Sequence, residues 1–210
     1  MSVTAFNQIF VTDVSMAEIR VNGGESKTYV FDTATKVEKK PLVVEGKEQP
    51  LDIKGIRRAL RKAKNTYVGT EIKMTDNAFS AEVYALIVGG TIAYNEDGNT
   101  FKSYDGPKIG EAEAKKAFDL ILYSEQLDET GKSLGFLKET YANCEGELIG
   151  VSQEDEKYFA PEFIVTSRPP KGSAGFKIEK VSALPEKTSA MSLGAILSVN
   201  EMLSSGKKGK

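Results

Sequence analysis

VGTEIKMTDNAFSAEVYALIVGG, residues 68–90, holds two periodicities back to back. Val68, Thr70, Ile72 and Met74 alternate with Gly69, Glu71 and Lys73, the period of two that gives a strand one buried face. From Asp76 onward the spacing changes: Phe79, Val83, Leu86 and Ile87 fall at i, i+4, i+7 and i+8, the stripe of an amphipathic helix. Asp76 or Asn77 is the candidate N-cap and Gly89-Gly90 the stop. The stretch therefore predicts a strand running into one helix of about 76–89, and its flanks decide what that helix lies on.

Those flanks read as strands. Ala17, Ile19 and Val21, then Phe118, Leu120 and Leu122, then Phe159, Pro161, Phe163 and Val165 repeat the alternation, and residues 28–31 and 37–45 form two further strands. Segments 120–125 and 134–141 flank Asp128-Glu129-Thr130-Gly131-Lys132, a turn whose glycine supplies a left-handed position, so they form a hairpin. Pro161 cannot donate to a ladder, which places its strand at an edge or a bulge. Phe176 and Ile178 have one parity and Val181 and Ala183 the other, which predicts a bulge or bend near Glu179 or Lys180. Turn residues at 95–99 and 105–107 mark an exposed loop region. The fold class is mainly β: an antiparallel sandwich or barrel, one flanking helix, and extended loops. The domain spans 1–185, and 186–210 is expected to be a flexible C-terminal extension of small and polar residues with a weak stripe of Met191, Ala195, Val199 and Met202.

Composition narrows the function. In 210 residues there is no histidine, which removes imidazole bases and the commonest transition-metal ligand. The single Cys144 excludes an intrachain disulfide and a cysteine-rich zinc site, fits a reducing cytoplasm, and reads as a buried or incidental thiol lying after a strand. No stretch approaches the roughly 18 apolar residues of a bilayer span, and residues 1–10 lack the order of a signal peptide, so a soluble chain without a membrane partner is expected. A formal charge of −2 gives no global argument for nucleic acid.

Local constellations are weighed on the same terms. Lys54, Arg57, Arg58, Arg61, Lys62 and Lys64 form a run without an acid, and the Ile56/Leu60 spacing leaves strand and helix both open there. Such a run binds phosphates in some settings, yet no aromatic residue interleaves it to stack a base, so a solvated or subunit-contacting face is the better reading. Glu145 with Glu147, and Glu154-Asp155-Glu156, are carboxylate groups of the kind a glycosidase pairs, but nothing marks two of them as sharing a cleft. Asn95, Asp97 and Asn99 lack the later glutamate of a calcium loop. Gly89-Gly90 follows a helix instead of opening one, and no GxxxxGK[ST] phosphate loop occurs. No catalytic residue, metal or cofactor is expected, and the chain reads as a non-enzyme.

Three blocks carry a family resemblance. Residues 73–90 resemble the strand-to-helix segment of the tail-tube (major tail) proteins of long-tailed bacteriophages. Tyr158-Phe159-Ala160-Pro161-Glu162-Phe163 followed by Ser167-Arg168-Pro169 is similar to the late strand of that family, and Glu45-Gly46-Lys47-Glu48 resembles the turn before its central strands. The three occur in the family's order within residues 28–185. The resemblance implies a homohexameric ring, and stacked rings forming a virion tail tube for genome delivery. Contractile tails and phage-derived bacteriocin-like particles use related tubes. It implies tape-measure and tail-terminator or tail-tip proteins as partners, DNA ejection through a lumen without specific binding, and assembly in the host cytoplasm.

Where the family shows an alternating apolar strand, this chain has its basic run. Arg57, Arg58, Arg61 and Lys62 are therefore candidate subunit contacts, with Glu154, Asp155 and Glu156 as their acidic counterpart. The segment 36–54, read as a loop region, the 95–110 loop and both termini are further contact elements. The alternative from another class is a carbohydrate- or protein-binding β-sandwich module of a virion, a receptor-binding or decoration domain, which a monomer with aromatic residues exposed in a groove favours.

Overall fold

The structure, a computed structural model, describes residues 9–22, 27–78, 80–96, 100–110, 116–147 and 161–186. Its elements are β1 (Phe10–Val21), β2 (Thr28–Phe31), β3 (Ala34–Val44), β4 (Gln49–Ile53), β5 (Ile56–Arg61), β6 (Thr66–Asp76), α1 (Ala81–Val88), β7 (Thr91–Tyr94), β8 (Phe101–Asp105), β9 (Phe118–Leu127), β10 (Ser133–Glu147), β11 (Glu162–Ser167) and β12 (Lys177–Val181). Every strand pairing is antiparallel. The main sheet runs β2-β1-β9-β10-β11-β6-β3, with β12 also on β10. Its far strand β3 returns against β1, so the sheet curls on itself around a single interior.

That interior is built from the alternating residues. Ala17 and Ile19, Phe118, Leu120 and Leu122, Ile72 and Met74, and Phe163 and Val165 are fully or almost fully buried in one cluster. Val83, Ile87 and Val88 of α1 pack on it as well. The helix is shorter than the apolar stripe suggests, because β6 keeps its ladder to Asp76: Asp76 N donates to the Pro161 carbonyl and Asn77 N to that of Thr33. The cap is therefore Ser80, whose Oγ accepts Val83 N at 3.4 Å, and not Asp76 or Asn77. Gly89 ends the helix as expected, at φ 94.

The hairpin β9–β10 closes over 128–132, with Gly131 at φ 80 and the Asp128 carboxylate accepting from Thr130 N, Thr130 Oγ1 and Lys132 N. β9 is buried on both faces. Its second face, Ile121 and Tyr123, joins Met16 and is covered by Val181 and Leu184. Tyr123 donates to buried Glu18 at 2.8 Å, and Arg20 Nε donates to the same carboxylate at 2.5 Å.

Three expectations are corrected. Pro161 does not mark an edge: β11 is paired on both sides, and the proline sits fully buried just before the strand begins, where no ladder donor is required. β12 has no bulge at Glu179 or Lys180; its register on β10 is continuous from Lys177 to Val181, and the two parities serve two faces. Cys144 lies inside β10, not after it. It is buried, Sγ–H donates to the Tyr141 carbonyl, and desolvation pushes the thiol up to about 11, in keeping with an inert thiol. The segment 187–210 and Glu154, Asp155 and Glu156 lie outside the described residues.

Candidate assembly interface

The chain between β3 and β6 is where the basic run falls. The β3–β6 ladder continues outward through Val43↔Tyr67 and Val44↔Thr66, after a register shift that leaves Val68 as the extra residue. Gly46 N then donates to Asn65 Oδ1 at 3.2 Å, and a Cβ at Gly46 would stand 2.6 Å from Lys64 N, so the two chains cross closely there. Beyond the crossing, β4 and β5 form a hairpin whose turn is Lys54-Gly55, with φ 52 and 76. Both central residues are left-handed, as a tight two-residue turn requires. Segment 36–54 is thus mostly strand and not loop, and the basic run is a strand with its flanks and not a helix.

The hairpin packs chiefly on itself. Across its ladder Leu51 faces Ala59 and Ile53 faces Ile56, while Arg58 is the inserted residue. This bulge is what collects Leu51, Ile53, Ile56 and Ala59 on one face, with Pro50, Asp52, Arg57 and Leu60 on the other. It also explains the misleading Ile56/Leu60 spacing, since the insertion breaks the strand's parity. The apolar face is only half covered among the described residues: Leu51 is 54% exposed, Ile53 48% and Ile56 55%. An exposed, contiguous apolar surface on an edge hairpin is what interaction sites show and what monomeric domains avoid.

Charge separates the arm from the body. Residues 43–68 carry seven basic side chains, Lys47 and the six of the run, against Glu45, Glu48 and Asp52, a net of +4. With −2 for the whole chain, the remainder carries −6. Arg57 Nε reaches Asp52 Oδ1 at 3.5 Å across the hairpin, an exposed pair of little energetic weight. Arg58, Arg61 and Lys62 are exposed alongside it. Edge strand β3 carries Lys36, Lys39, Lys40 and Pro41 along its length, the residues that discourage sheet-to-sheet pairing.

Glu145 and Glu147, which nothing in the sequence marked as sharing a cleft, lie on one exposed face of β10 and both line a recess of about 290 Å³, where Glu147 accepts from Thr166 Oγ1 at 2.8 Å. Among the described residues no group of three acidic or sulfur ligands stands ready for a metal, and no helix is long and apolar enough to cross a membrane. Sequence reading missed the β7–β8 hairpin, which rests near α1; Tyr104 there donates to the Gly89 carbonyl at 2.6 Å and meets the Tyr84 ring edge-on. The aromatic and β-branched residues at 91–94 and 101–104 were the available signal.

No family model matches the chain, and no curated protein matches it significantly. Among solved structures, it is similar to a chain in the cryo-EM structure of the anti-feeding prophage (AFP) baseplate, six-fold symmetrised. The TM-score is 0.37 at 8% identity, covering 87% of this chain and 100% of that one. Overlap of that degree carries no functional argument, whereas the exposed arm does.

Proposed function

We propose that this chain is a structural subunit of a phage or phage-derived tail tube, self-assembling into hexameric rings that stack into a conduit. The observation that carries the reading is the projecting arm, which packs chiefly on itself and leaves about half of Leu51, Ile53 and Ile56 uncovered beside four exposed cations. A second copy, whose body is acidic, supplies both cover for the apolar face and countercharge for the cations. Six-fold symmetry, stacking, and the tape-measure and tail-tip partners rest on the resemblance of the sequence blocks. Glu154, Asp155 and Glu156 of a neighbour are the proposed counterpart of Arg57, Arg58, Arg61 and Lys62. The protein's work lies in its interfaces, with no residue assigned chemistry, and its place is the virion tail after assembly in the host cytoplasm.

The test is negative-stain electron microscopy with size-exclusion chromatography of the full chain and of an Arg57→Glu/Arg58→Glu/Arg61→Glu variant. Rings or hollow tubes of uniform diameter for the parent, and a folded monomer for the variant, are expected. Tubes unimpaired by the reversal would refute the role given to the arm, and a parent that stays monomeric at every concentration would refute the tube.

A further inference from the structure

β10 is shared between two partners. Its first half pairs with β12 and its last residues with β11, and the sheet forks between them. The fork follows from a break within β10: the register on β9 shifts between Tyr141 and Cys144, and Asn143 between them takes φ 51. A cleft of about 360 Å³ lies in the fork, at the small end of the range for small-molecule sites. Tyr67 and Thr70 of β6 and Lys39 of β3 line one wall; Glu139 and Tyr141 of β10 and Phe176 line the other.

The lining has two characters. Phe176 lies over Tyr141 with ring centroids 5.9 Å apart and remains 48% exposed, so one ring face is committed and the other open. Tyr67 is 41% exposed, and its ring is held against the backbone at Gly175, where a Cβ would come within 2.2 Å of it. Between the rings, Lys39 Nζ donates to Glu139 Oε2 at 2.5 Å, and Tyr141 Oη donates to the same oxygen at 2.8 Å. Glu139 Oε1 accepts nothing among the described residues, and the Lys39 ammonium keeps two further donors.

We propose that this cleft binds a neutral saccharide, one sugar ring stacking on Phe176 and Tyr67 with its hydroxyls on Lys39 and Glu139. A pyranose has C–H faces and a hydroxyl rim, so it needs both an aromatic wall and a fixed donor–acceptor pair, and the cleft offers the two side by side. Its one cation and one anion are paired, which leaves no net charge for a phosphate, an acidic peptide or an ammonium ligand. A proline-rich peptide in an aromatic groove needs free ring hydroxyls to meet its carbonyls. Here Tyr67 and Thr70 hydroxyls bond each other at 2.5 Å, and the Tyr141 hydroxyl is spent on Glu139. The pairing of Lys39 with Glu139 also fixes both long side chains before a ligand arrives, which lowers the cost of binding.

This site is independent of the assembly reading: no residue of β4 or β5 lines it. The full chain, in whatever oligomeric state it adopts, is titrated with cellotetraose, chitotetraose, maltotetraose and, separately, decaproline, and read by saturation-transfer NMR. Saturable transfer to the C–H protons of at least one oligosaccharide is expected, with affinity about tenfold weaker in Phe176→Ala. Phe176→Leu keeps apolar cover over Tyr141 but removes the ring face, and it should lose binding equally while melting like the parent. No transfer with any of the three sugars up to about 20 mM, equal transfer in the Phe176→Leu variant, or binding of decaproline alone would overturn the assignment.

Discussion

Replacing Leu51, Ile53 and Ile56 together by serine separates the arm's two possible lives, as part of the monomer or as part of an interface. In the monomer each of these side chains is already about half exposed, at 54%, 48% and 55%. The half already covered in the monomer is worth about 1 kcal/mol for each on the burial scale, so the triple substitution should cost the monomer no more than about 3 kcal/mol. Full burial of a large aliphatic side chain is worth about 1.5–3 kcal/mol. Covering the exposed half of each accordingly contributes about 1 kcal/mol, or about 3 kcal/mol for the three at each contact between copies. At 1.4 kcal/mol per factor of ten, that weakens each contact by roughly two orders of magnitude. Sedimentation velocity over a concentration series reads the shift, and thermal melting of dilute protein reads the monomer. The expected result is assembly moved to at least about a hundredfold higher concentration, with the dilute melting temperature lowered by no more than about 12 °C. Assembly unaffected by the triple substitution would refute the interface, and a larger drop in the dilute melting temperature would show that the arm's face is buried within the monomer.

Two further predictions concern the body. A Cβ at Gly146 would stand 2.3 Å from the Ile87 carbonyl oxygen and 2.6 Å from Ile87 Cα, backbone atoms of a capped helix that cannot swing aside. Gly146→Ala should thus cost about 2–3 kcal/mol of overpacking and lower the melting temperature by roughly 5–10 °C, while an unchanged melt would mean that α1 sits more loosely on β10 than these distances imply. Asp128 closes the β9–β10 turn, and the Thr130 hydroxyl, then the Lys132 and Thr130 amides, hold its carboxyl below its ordinary value of 3.8. A depressed folded-state value gives stability that is present above the ordinary value and lost as pH falls through the folded one. Asp128→Ala should therefore melt earlier than the parent at neutral pH, with the gap closing below pH 3.8; a gap independent of pH would remove the carboxylate's charge from the explanation.

The strands with one buried face were legible because alternation is a local signal: Ile72 and Met74, or Phe163 and Val165, read the same in the chain and in the core. Features made by a neighbour were not. Pro161 suggested an edge, since the sequence does not tell whether a proline stands inside a ladder or one residue before it. The helix start was misplaced because Asp76, a good cap residue in isolation, is held by the β11 side of the sheet through the Pro161 carbonyl. The basic run resisted assignment for a specific reason: the Ile56/Leu60 spacing fits either period, and one inserted residue, Arg58, shifts parity in mid-strand so that the two end on opposite faces. The fork cleft was illegible altogether, because Lys39, Tyr67, Glu139 and Phe176 come from four separate segments that meet only when β10 divides its two halves between β12 and β11.

The arm poses a problem that its own sequence answers. A long hairpin with an open apolar face pairs readily with the wrong partner, and the usual remedy is to shorten it or to flatten its hydrophobicity. Here the apolar residues are kept and the remedy is charge and shape. Arg57, Arg58 and Arg61 lie on the strand itself, so two arms brought edge to edge set like charges against each other. The Arg58 bulge twists the strand away from a flat template. Both devices oppose arm-on-arm contact while leaving arm-on-body contact favourable, because the body carries the opposite sign. On the assembly proposed above, an arm so protected would select a heterologous contact, one surface against a different surface of the next copy. Contacts of that type close into rings or run on as filaments, according to the rotation between copies, which are the two closures the proposed tube combines.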